Sequence, residues 1–424
     1  MSPSATSLTI WQQTRGNTME TAQRSTEYIF QGVMYFFRRE KIQCRYQFTL
    51  QDPADPALLQ RALDTVLAVA PYYRVQLVQE KRESYLEPNP NPCTVYTDSA
   101  MRNIPEETNG YLFSLSCEGD VVYFDWYHFL MDGHGTSPFL TEILEQYCNL
   151  RYGTAFPVRP IVCSPAYDIE AMRAEYPAPE ASESSLQREV VQTCESTMHR
   201  TRLRLTKKSL VSKAVENGVK PFSALAGLLS MGIGQYLGKD VIRYSYSADT
   251  RDAAGVPDAL YNCVCSFQGE VPLQGQPKLA DLVGAIDAEV RSNLTLESKR
   301  KRMTEQMDWV YKVDQQKAPL RIKQRVFQMG EYISGVPADF WLSYLGNPLM
   351  PATPELEQYT KDFGVWVPPD GGSMGVEASS LNGIITLCIE NKVPKDGLSA
   401  VLKAVFEHEG IEVLEAEELD KFCD

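Results

Sequence analysis

The amino-acid sequence is poor in features that mark several common classes of protein. Its 41 Lys and Arg residues are outnumbered by 55 Asp and Glu residues, which gives a net charge of −14. Nucleic acids and anionic lipids bind basic surfaces, so this charge disfavours both partners. No apolar run approaches the roughly 18 residues that a membrane span needs, and Met1–Asn17 lacks the apolar core of a signal peptide. We therefore expect a cytoplasmic protein with no nucleic-acid partner and no membrane span.

Clusters of metal-binding or redox-active residues are also scarce. Ten cysteines are scattered along the chain, and none forms a CxxC pair. The one CxC, at Cys263 and Cys265, has no further Cys or His close to it in the sequence. Metal sites and disulfide frameworks are recognised by closely spaced ligands, and phosphate-binding loops by clustered glycines. The sequence predicts free thiols, no metal site and no permanently bound cofactor.

The spacing of apolar residues predicts a mixed α/β protein in two halves. Alternating runs indicate strands, and runs with a period near 3.6 indicate helices. In the first half these patterns lie at 41–52, 53–70, 72–78, 111–130 (a hairpin) and 137–150. In the second half they lie at 206–217, 221–237, 242–248, 262–271, 277–313, 339–345, 383–392 and 397–409.

A segment rich in Pro, Ala, Glu and Ser separates the two halves. Such a composition with little periodicity is typical of a linker. We predict a flexible N-terminus at 1–20, a first subdomain at 21–165, a linker at 166–186 and a second subdomain at 187–424.

The feature most suggestive of chemistry is a histidine at the end of a predicted strand. The chain has only four histidines, and His128 is followed by Asp132 and Gly133. The pKa of an imidazole lies near neutrality, so His128 is a candidate general base. Asp132 could orient the imidazole as a triad carboxylate does, or fix the loop by pairing with an arginine. Gly133 allows a close backbone approach or a positive φ. Taken alone, this spacing is more typical of a structural histidine.

Three further segments follow in the second half. Asp249 and Arg251 end one predicted strand and are followed by Tyr261–Asn262. Ser343–Gly346 end another strand, and Asp362–Trp366 precede a glycine-rich turn. In this order, and together with the histidine, the segments resemble the acyltransferase superfamily that shares the fold of chloramphenicol acetyltransferase.

This superfamily includes the condensation domains of nonribosomal peptide synthetases, the BAHD enzymes, alcohol acetyltransferases and polyketide-associated acyltransferases. Its HxxxDG signature is matched by His128, Asp132 and Gly133, whereas Tyr127 stands where many members have a second histidine. The later segments resemble the D-x-R, NxLG-like and DFGWG elements, although Val365 departs from the last of these. The resemblance covers about 30–410.

The resemblance implies two acyltransferase-like subdomains, each with a mixed sheet flanked by helices, and an active site in a tunnel between them. In such enzymes the histidine takes a proton from a hydroxyl or amine, which attacks the thioester of coenzyme A or of a carrier-protein phosphopantetheine. His128 would have this role. Asp132 would pair with Arg251 or, as the alternative, with Arg45.

Other residues receive roles through the same resemblance. The oxygen that gains negative charge needs hydrogen-bond donors, and the candidates are Thr136, Ser137, Ser373 and backbone N–H groups near Gly133. Asp362, Gly364 and Trp366 would shape the site or the junction between the halves. Two alternatives stay open: a free-standing condensation-type enzyme that acts on acyl carrier proteins, and a catalytically silent binding protein of the same fold.

Overall fold

The computed structural model describes most of the chain between the termini. The described residues are 32, 34–38, 41–80, 84–177, 198–275, 277–334, 338–349, 354–369, 374–393 and 395–419. The predicted flexible segment 1–20, the part of the predicted linker beyond 177, and Ser373 lie outside them.

The first half of the chain forms most of one sheet and its covering helices. Its elements, in chain order, are β1 Gln43–Leu50, α1 Pro56–Leu67, β2 Val75–Gln79, β3 Ser84–Pro88, β4 Val95–Tyr96, β5 Phe113–Glu118, β6 Val121–Tyr127, α2 Gly133–Tyr152 and α3 Ile169–Glu175. A short 3₁₀ helix, Pro71–Tyr73, precedes β2.

The second half forms a larger sheet with more helices. Its elements are β7 His199–Thr206, α4 Lys207–Glu216, α5 Pro221–Leu237, β8 Val241–Asp249, α6 Arg251–Ala254, β9 Val264–Pro272, α7 Leu279–Asn293, α8 Leu296–Asp314, α9 Leu320–Ser334, β10 Phe340–Gly346, β11 Thr360–Trp366, β12 Met374–Leu381, β13 Ile384–Asn391, α10 Leu398–His408 and β14 Val413–Leu419.

Both large sheets are mixed, which confirms the predicted fold class. The first has the strand order β11-β1-β6-β5-β4, with one parallel pair, β4 and β5. The second has the order β14-β7-β13-β12-β10-β8-β9, in which β10 runs parallel to both of its neighbours. Each sheet has its own core of buried side chains. The small β2–β3 ribbon is separate.

One strand crosses from the second half of the sequence into the first sheet. β11 pairs antiparallel with β1, and Phe363 lies opposite Phe48. Their rings pack 4.4 Å apart between centroids in the first core. Segment 360–366 lies within the predicted second subdomain, yet it completes the sheet that carries the histidine motif.

Local sequence signals explain where the main elements begin. Asp55 caps α1 by accepting hydrogen bonds from the N–H groups of Ala57 and Leu58, and Pro56 occupies the first turn, where no donor is needed. β8 alternates between buried and half-exposed or exposed residues along its length, because only one of its faces packs on the second core.

The structure corrects several predicted boundaries. α2 begins at Gly133 rather than near 137, and Asp132 is its N-cap. The strand predicted to reach 130 ends at Tyr127. The helical region 277–313 is two helices, because Thr295 caps a new one. α3 lies within the predicted linker.

Candidate active site

His128 lies one residue beyond the end of β6, where both halves of the chain hold it. Its backbone N–H donates to the carbonyl of Ile42 at 2.9 Å, which extends the pairing of β1 and β6 by one step. The amide Nδ2 of Asn262 donates to the His128 carbonyl at 2.8 Å. The ring of Tyr35 stacks on the imidazole with centroids 4.1 Å apart. The imidazole is therefore fixed on one face and through its backbone.

The surroundings of His128 favour the neutral imidazole. Burial lowers its pKa below the ordinary value, although its own backbone carbonyl, Asp132 and Asn262 raise it in part. Arg38 contributes a further lowering because its positive charge opposes protonation. The buried Nδ1 has no hydrogen bond of good geometry among the described residues. A neutral imidazole at pH 7 can accept a proton, which is what a general base must do.

Asp132 is buried and accepts three strong hydrogen bonds. Its Oδ1 accepts from the N–H of Gly135 and from Nη2 of Arg251, both at 2.8 Å, and its Oδ2 accepts from the N–H of Cys263 at 2.9 Å. Burial alone would raise the pKa of Asp132, but the Arg251 charge and these hydrogen bonds hold it below its ordinary value. The carboxylate joins the start of α2 to the second sheet.

Arg251 is the arginine that pairs with Asp132, across 119 positions of sequence. It is also buried, and it donates to the carbonyls of Ala259 at 2.8 Å and Tyr261 at 3.1 Å. Burial alone would lower the pKa of Arg251, but the charge of Asp132 and its hydrogen bond, together with nearby Cys263 and Asp249, raise it. The alternative partner, Arg45, was the wrong one: it binds Asp125 through two hydrogen bonds of 2.6 and 2.8 Å.

Two glycines at the start of α2 allow close packing. A Cβ at Gly133 would lie 2.8 Å from the Tyr46 hydroxyl and 3.0 Å from a methyl carbon of Leu345. At Gly135 a Cβ would overlap the backbone carbonyl of Leu260. The HxxxDG pattern drew attention to Gly133 only. Gly135 has less room for a side chain than Gly133, because its Cβ would meet backbone atoms. Its place two residues after Gly133, in the same turn, was the only sequence signal that could have pointed to it.

The hydroxyl groups of Thr136 and Ser137 are used inside the helix. Thr136 Oγ1 donates to the carbonyl of Asp132 at 2.9 Å, and Ser137 Oγ donates to the carbonyl of Gly133 at 3.0 Å. Neither residue lines the cavity beside His128. Ser373, the third side chain considered as an oxyanion donor, lies outside the described residues.

A cavity of about 180 Å³ opens beside His128 and is lined from both sheets. Of the residues predicted for the site, His128, Asp132 and Gly133 line it. The first half adds aromatic side chains, and the second half adds four serines, an indole and an acid. These additional lining residues are Tyr35, Tyr46, Trp126, Ser245, Ser247, Ser266, Ser343, Trp341 and Glu377.

Glu377 is the residue that the sequence reasoning most clearly missed. It lies on β12 beside Ser343, its partner on the parallel strand β10. Burial raises its pKa to about 8, and a hydrogen bond with Ser343 only partly offsets that rise. Glu377 is the single charged residue in the segment 374–381, and this was the available signal, because a lone charge in a buried strand needs a reason.

Asp362, Gly364 and Trp366 lie on β11, where the two sheets meet. Asp362 is within 3.5 Å of the guanidinium groups of Arg202 and Arg204 on β7. A Cβ at Gly364 would lie 3.1 Å from the Cys388 sulfur. Trp366 is buried in the same strand. All three contact the junction between the sheets, and none of them lines the cavity.

The described part of the chain has neither a metal-binding cluster nor a membrane-spanning helix. Within it, no three His, Cys, Asp or Glu side chains come together in a way that could hold a metal ion. None of its helices combines the length and the apolar character needed to cross a membrane.

No protein-family model and no curated protein matches the sequence. Solved structures match it over most of its length. Polyketide synthase associated protein 5 from Mycobacterium tuberculosis is 15% identical, with 91% of this chain and 96% of that chain covered and a TM-score of 0.60.

Two further structures match to a similar extent. F. graminearum TRI101, in complex with coenzyme A and T-2 mycotoxin, is 13% identical. The match covers 91% of this chain and 98% of that chain, with a TM-score of 0.61. The EpoB cyclization-docking bidomain from Sorangium cellulosum is 14% identical. The match covers 96% of this chain and 92% of that chain, with a TM-score of 0.59. The chain therefore has the two-subdomain fold of the chloramphenicol acetyltransferase-like and condensation enzymes.

Proposed function

We propose that the protein is an acyltransferase that moves an acyl group from a thioester to an alcohol or an amine, with His128 as the general base. The observation that carries the proposal is a neutral imidazole at a cavity lined by both sheets. Because the Asp132–Arg251 pair and Asn262 fix the surrounding backbone, the imidazole is preorganised for proton transfer.

Proton transfer and acyl transfer are coupled in the proposed reaction. The imidazole removes the proton from the acceptor hydroxyl or amine as the acceptor forms a bond to the thioester carbonyl carbon. The carbonyl π electrons move to oxygen and then return as the C–S bond breaks. The thiolate leaves and takes the proton from the imidazolium. No acyl-enzyme forms in this scheme, since donor and acceptor meet in the cavity, which would be the central part of a tunnel.

The donor would carry its acyl group on coenzyme A or on a carrier-protein phosphopantetheine. The TRI101 structures contain coenzyme A, which supports the first donor. Condensation and cyclization domains of peptide synthetases have the same fold, which supports the second. A role as a free-standing condensation-type enzyme is thus the second candidate, and the two donors are separated by experiment.

The test is turnover with defined donors. The purified protein would be incubated with acetyl-coenzyme A, or with an acetylated carrier protein, and a panel of alcohols and amines. Products would be followed by mass spectrometry and released thiol by a colorimetric reagent. We expect product with at least one donor, and a loss of about 10²–10⁴-fold in rate in His128→Ala. If neither donor gives any product and coenzyme A leaves the melting temperature unchanged, the protein is a silent relative of the same fold.

A further inference from the structure

A row of polar side chains crosses the second sheet at the level of the cavity. Ser266 on β9 lies opposite Ser247 on β8. β8 and β10 run parallel with Leu342 beside Tyr246, so Ser343 comes at the next level beside Ser247. Ser343 in turn lies beside Glu377 on β12. The three serines and the acid all line the cavity with His128.

Glu377 ends this row as a buried carboxyl without a cationic partner. Its side chain is among the buried polar groups, and the influences on its pKa are burial and Ser343, with no Lys or Arg of the described chain among them. An unpaired carboxylate is costly in such a place, so the group keeps its proton. With a pKa of about 8 the carboxyl is mainly protonated at pH 7 and can donate a hydrogen bond.

The indole of Trp341 supplies a second donor next to Glu377. Trp341 lies beside Gly375 on the neighbouring strand, and a Cβ at Gly375 would be 2.8 Å from Nε1. The indole therefore lies over Gly375, two residues before Glu377 and on the same face of the sheet. Its Nε1 is hidden from solvent and has no hydrogen-bond acceptor among the described residues. A buried N–H without an acceptor, at the wall of a cavity, is suited to an oxygen of a ligand.

We propose that the Glu377 carboxylic acid and the Trp341 indole N–H together bind the thioester carbonyl oxygen and hold the oxyanion that forms when the acceptor attacks. This inference rests on the proposed acyl transfer. The two donors come from the second sheet, and the His128 imidazole comes from the first, so attack and charge stabilisation would take place on opposite walls. Thr136 and Ser137 are unsuited to this role because their hydroxyl hydrogens are already donated to helix carbonyls.

Glu377 keeps its proton throughout the reaction. The acceptor proton goes to the imidazole and later to the thiolate, while the Glu377 O–H and the indole N–H shorten their hydrogen bonds to the oxyanion. Ionised Glu377 would place a negative charge beside the developing oxyanion and oppose the reaction. A glutamate ordinarily loses its proton at a lower pH than a histidine, but here Glu377 keeps its proton to a higher pH than His128. At pH 7 a neutral base and a neutral acid therefore share the cavity.

The groups that face Glu377 do not themselves ionise near this pH. His128 and Asp132 line the same cavity, and the pKa of each is lowered. The other groups are thiols and phenols, and burial raises the pKa of each above its ordinary value. β1 contributes Cys44 and Tyr46, β13 contributes Cys388, and the segment before β1 contributes Tyr35.

The test is the pH dependence of kcat/KM with acetyl-coenzyme A and an acceptor that the wild type acylates. We expect wild-type activity to fall as pH rises through about 8, where Glu377 ionises. Glu377→Gln has nearly the same shape and keeps a donor that does not titrate. It should retain activity within about tenfold and lose the alkaline decline. Glu377→Ala and Trp341→Phe should each lose about 10²–10³-fold in kcat, as for removal of one oxyanion donor.

The matched control is Glu289→Gln. Burial raises the pKa of Glu289 as well, but this residue lies on α7 away from the cavity. Its replacement should leave the pH profile unchanged.

Three results would overturn the inference and leave the proposed function standing. If Glu377→Gln loses as much activity as Glu377→Ala, the ionised carboxylate is the active form. If the alkaline decline persists in Glu377→Gln, another group causes it. If all Glu377 and Trp341 variants keep His128-dependent activity with an unchanged profile, the proposed function stands while the oxyanion pair is wrong. Absence of any transfer by the wild type would instead overturn the proposed function together with this inference.

Discussion

Replacing Asp132 by asparagine should destabilise the protein more than the small change in the side chain suggests. The change removes one negative charge and keeps the shape of the side chain. It leaves the buried Arg251 guanidinium without its charge partner at 2.8 Å. It also turns one carboxylate oxygen into an N–H₂ group that faces the N–H of Gly135 or of Cys263, both of which donate to Asp132. Two donors then point at each other in a buried place.

The expected loss is about 3–5 kcal/mol of unfolding free energy, the range for removal of one member of a buried ion pair. Asp249 provides the control, because its carboxylate also contacts Arg251, at 3.3 Å, but is half-exposed. Asp249→Asn should cost at most about 1 kcal/mol, since solvent screens an exposed pair.

Urea unfolding followed by tryptophan fluorescence would measure both variants, with wild-type protein in parallel. The pH dependence gives a second readout. Because the pKa of Asp132 is lowered in the folded protein, its stabilisation is present above its ordinary pKa and is lost as pH falls through the folded value. The wild type should therefore lose its advantage over Asp132→Asn in acid. An Asp132→Asn protein with wild-type stability and no activity would refute this reasoning and assign Asp132 a direct role in chemistry.

Further predictions concern the cavity wall and the start of α2. Gly135→Ala should lower the unfolding free energy by about 3 kcal/mol or more, because its Cβ would overlap the Leu260 carbonyl. Gly133→Ala meets only side-chain atoms and should lower it by about 1–2 kcal/mol in the same urea assay. Glu377→Gln should become the more stable protein as pH rises from 4.5 towards 8, by on the order of 4 kcal/mol at the upper end. The reason is that the raised folded pKa of Glu377 gives wild-type stability that is full below the ordinary pKa and is lost as pH rises through about 8. Melting temperatures that stay parallel for both proteins across this range would contradict the assignment.

Much of the first subdomain could be predicted because its signals are local. Alternation and helical spacing indicated β1, α1 and the β5–β6 hairpin within a few residues. The start of α2 was misplaced, because Asp132, Thr136 and Ser137 can all act as N-caps. Asp132 is the N-cap in the structure, where its carboxylate also accepts hydrogen bonds from Arg251 and Cys263. Nothing within the local sequence indicates a partner 119 residues away.

The cavity could be predicted only in part, for a similar reason. His128 stood out because histidine is scarce and follows a strand pattern. Glu377 lies on β12, which is buried throughout, and Trp341 lies on β10, which is only partly buried. The residue pattern of neither strand shows which face meets another subdomain. The strand β11 was equally hard to place, since its pairing with β1 joins segments separated by some three hundred residues. The subdomain boundaries and the tunnel stay predictions.

The central claim is that His128 is the base of a thioester-dependent acyl transfer. The most direct measurement is kcat/KM for His128→Ala beside His134→Ala, with the donor and acceptor that the wild type uses. His134 lies six residues later and is exposed, with Asp249 as its neighbour. We predict a loss of about 10²–10⁴-fold for His128→Ala and wild-type activity for His134→Ala, with both proteins folded. Equal activity in the two variants would contradict the account.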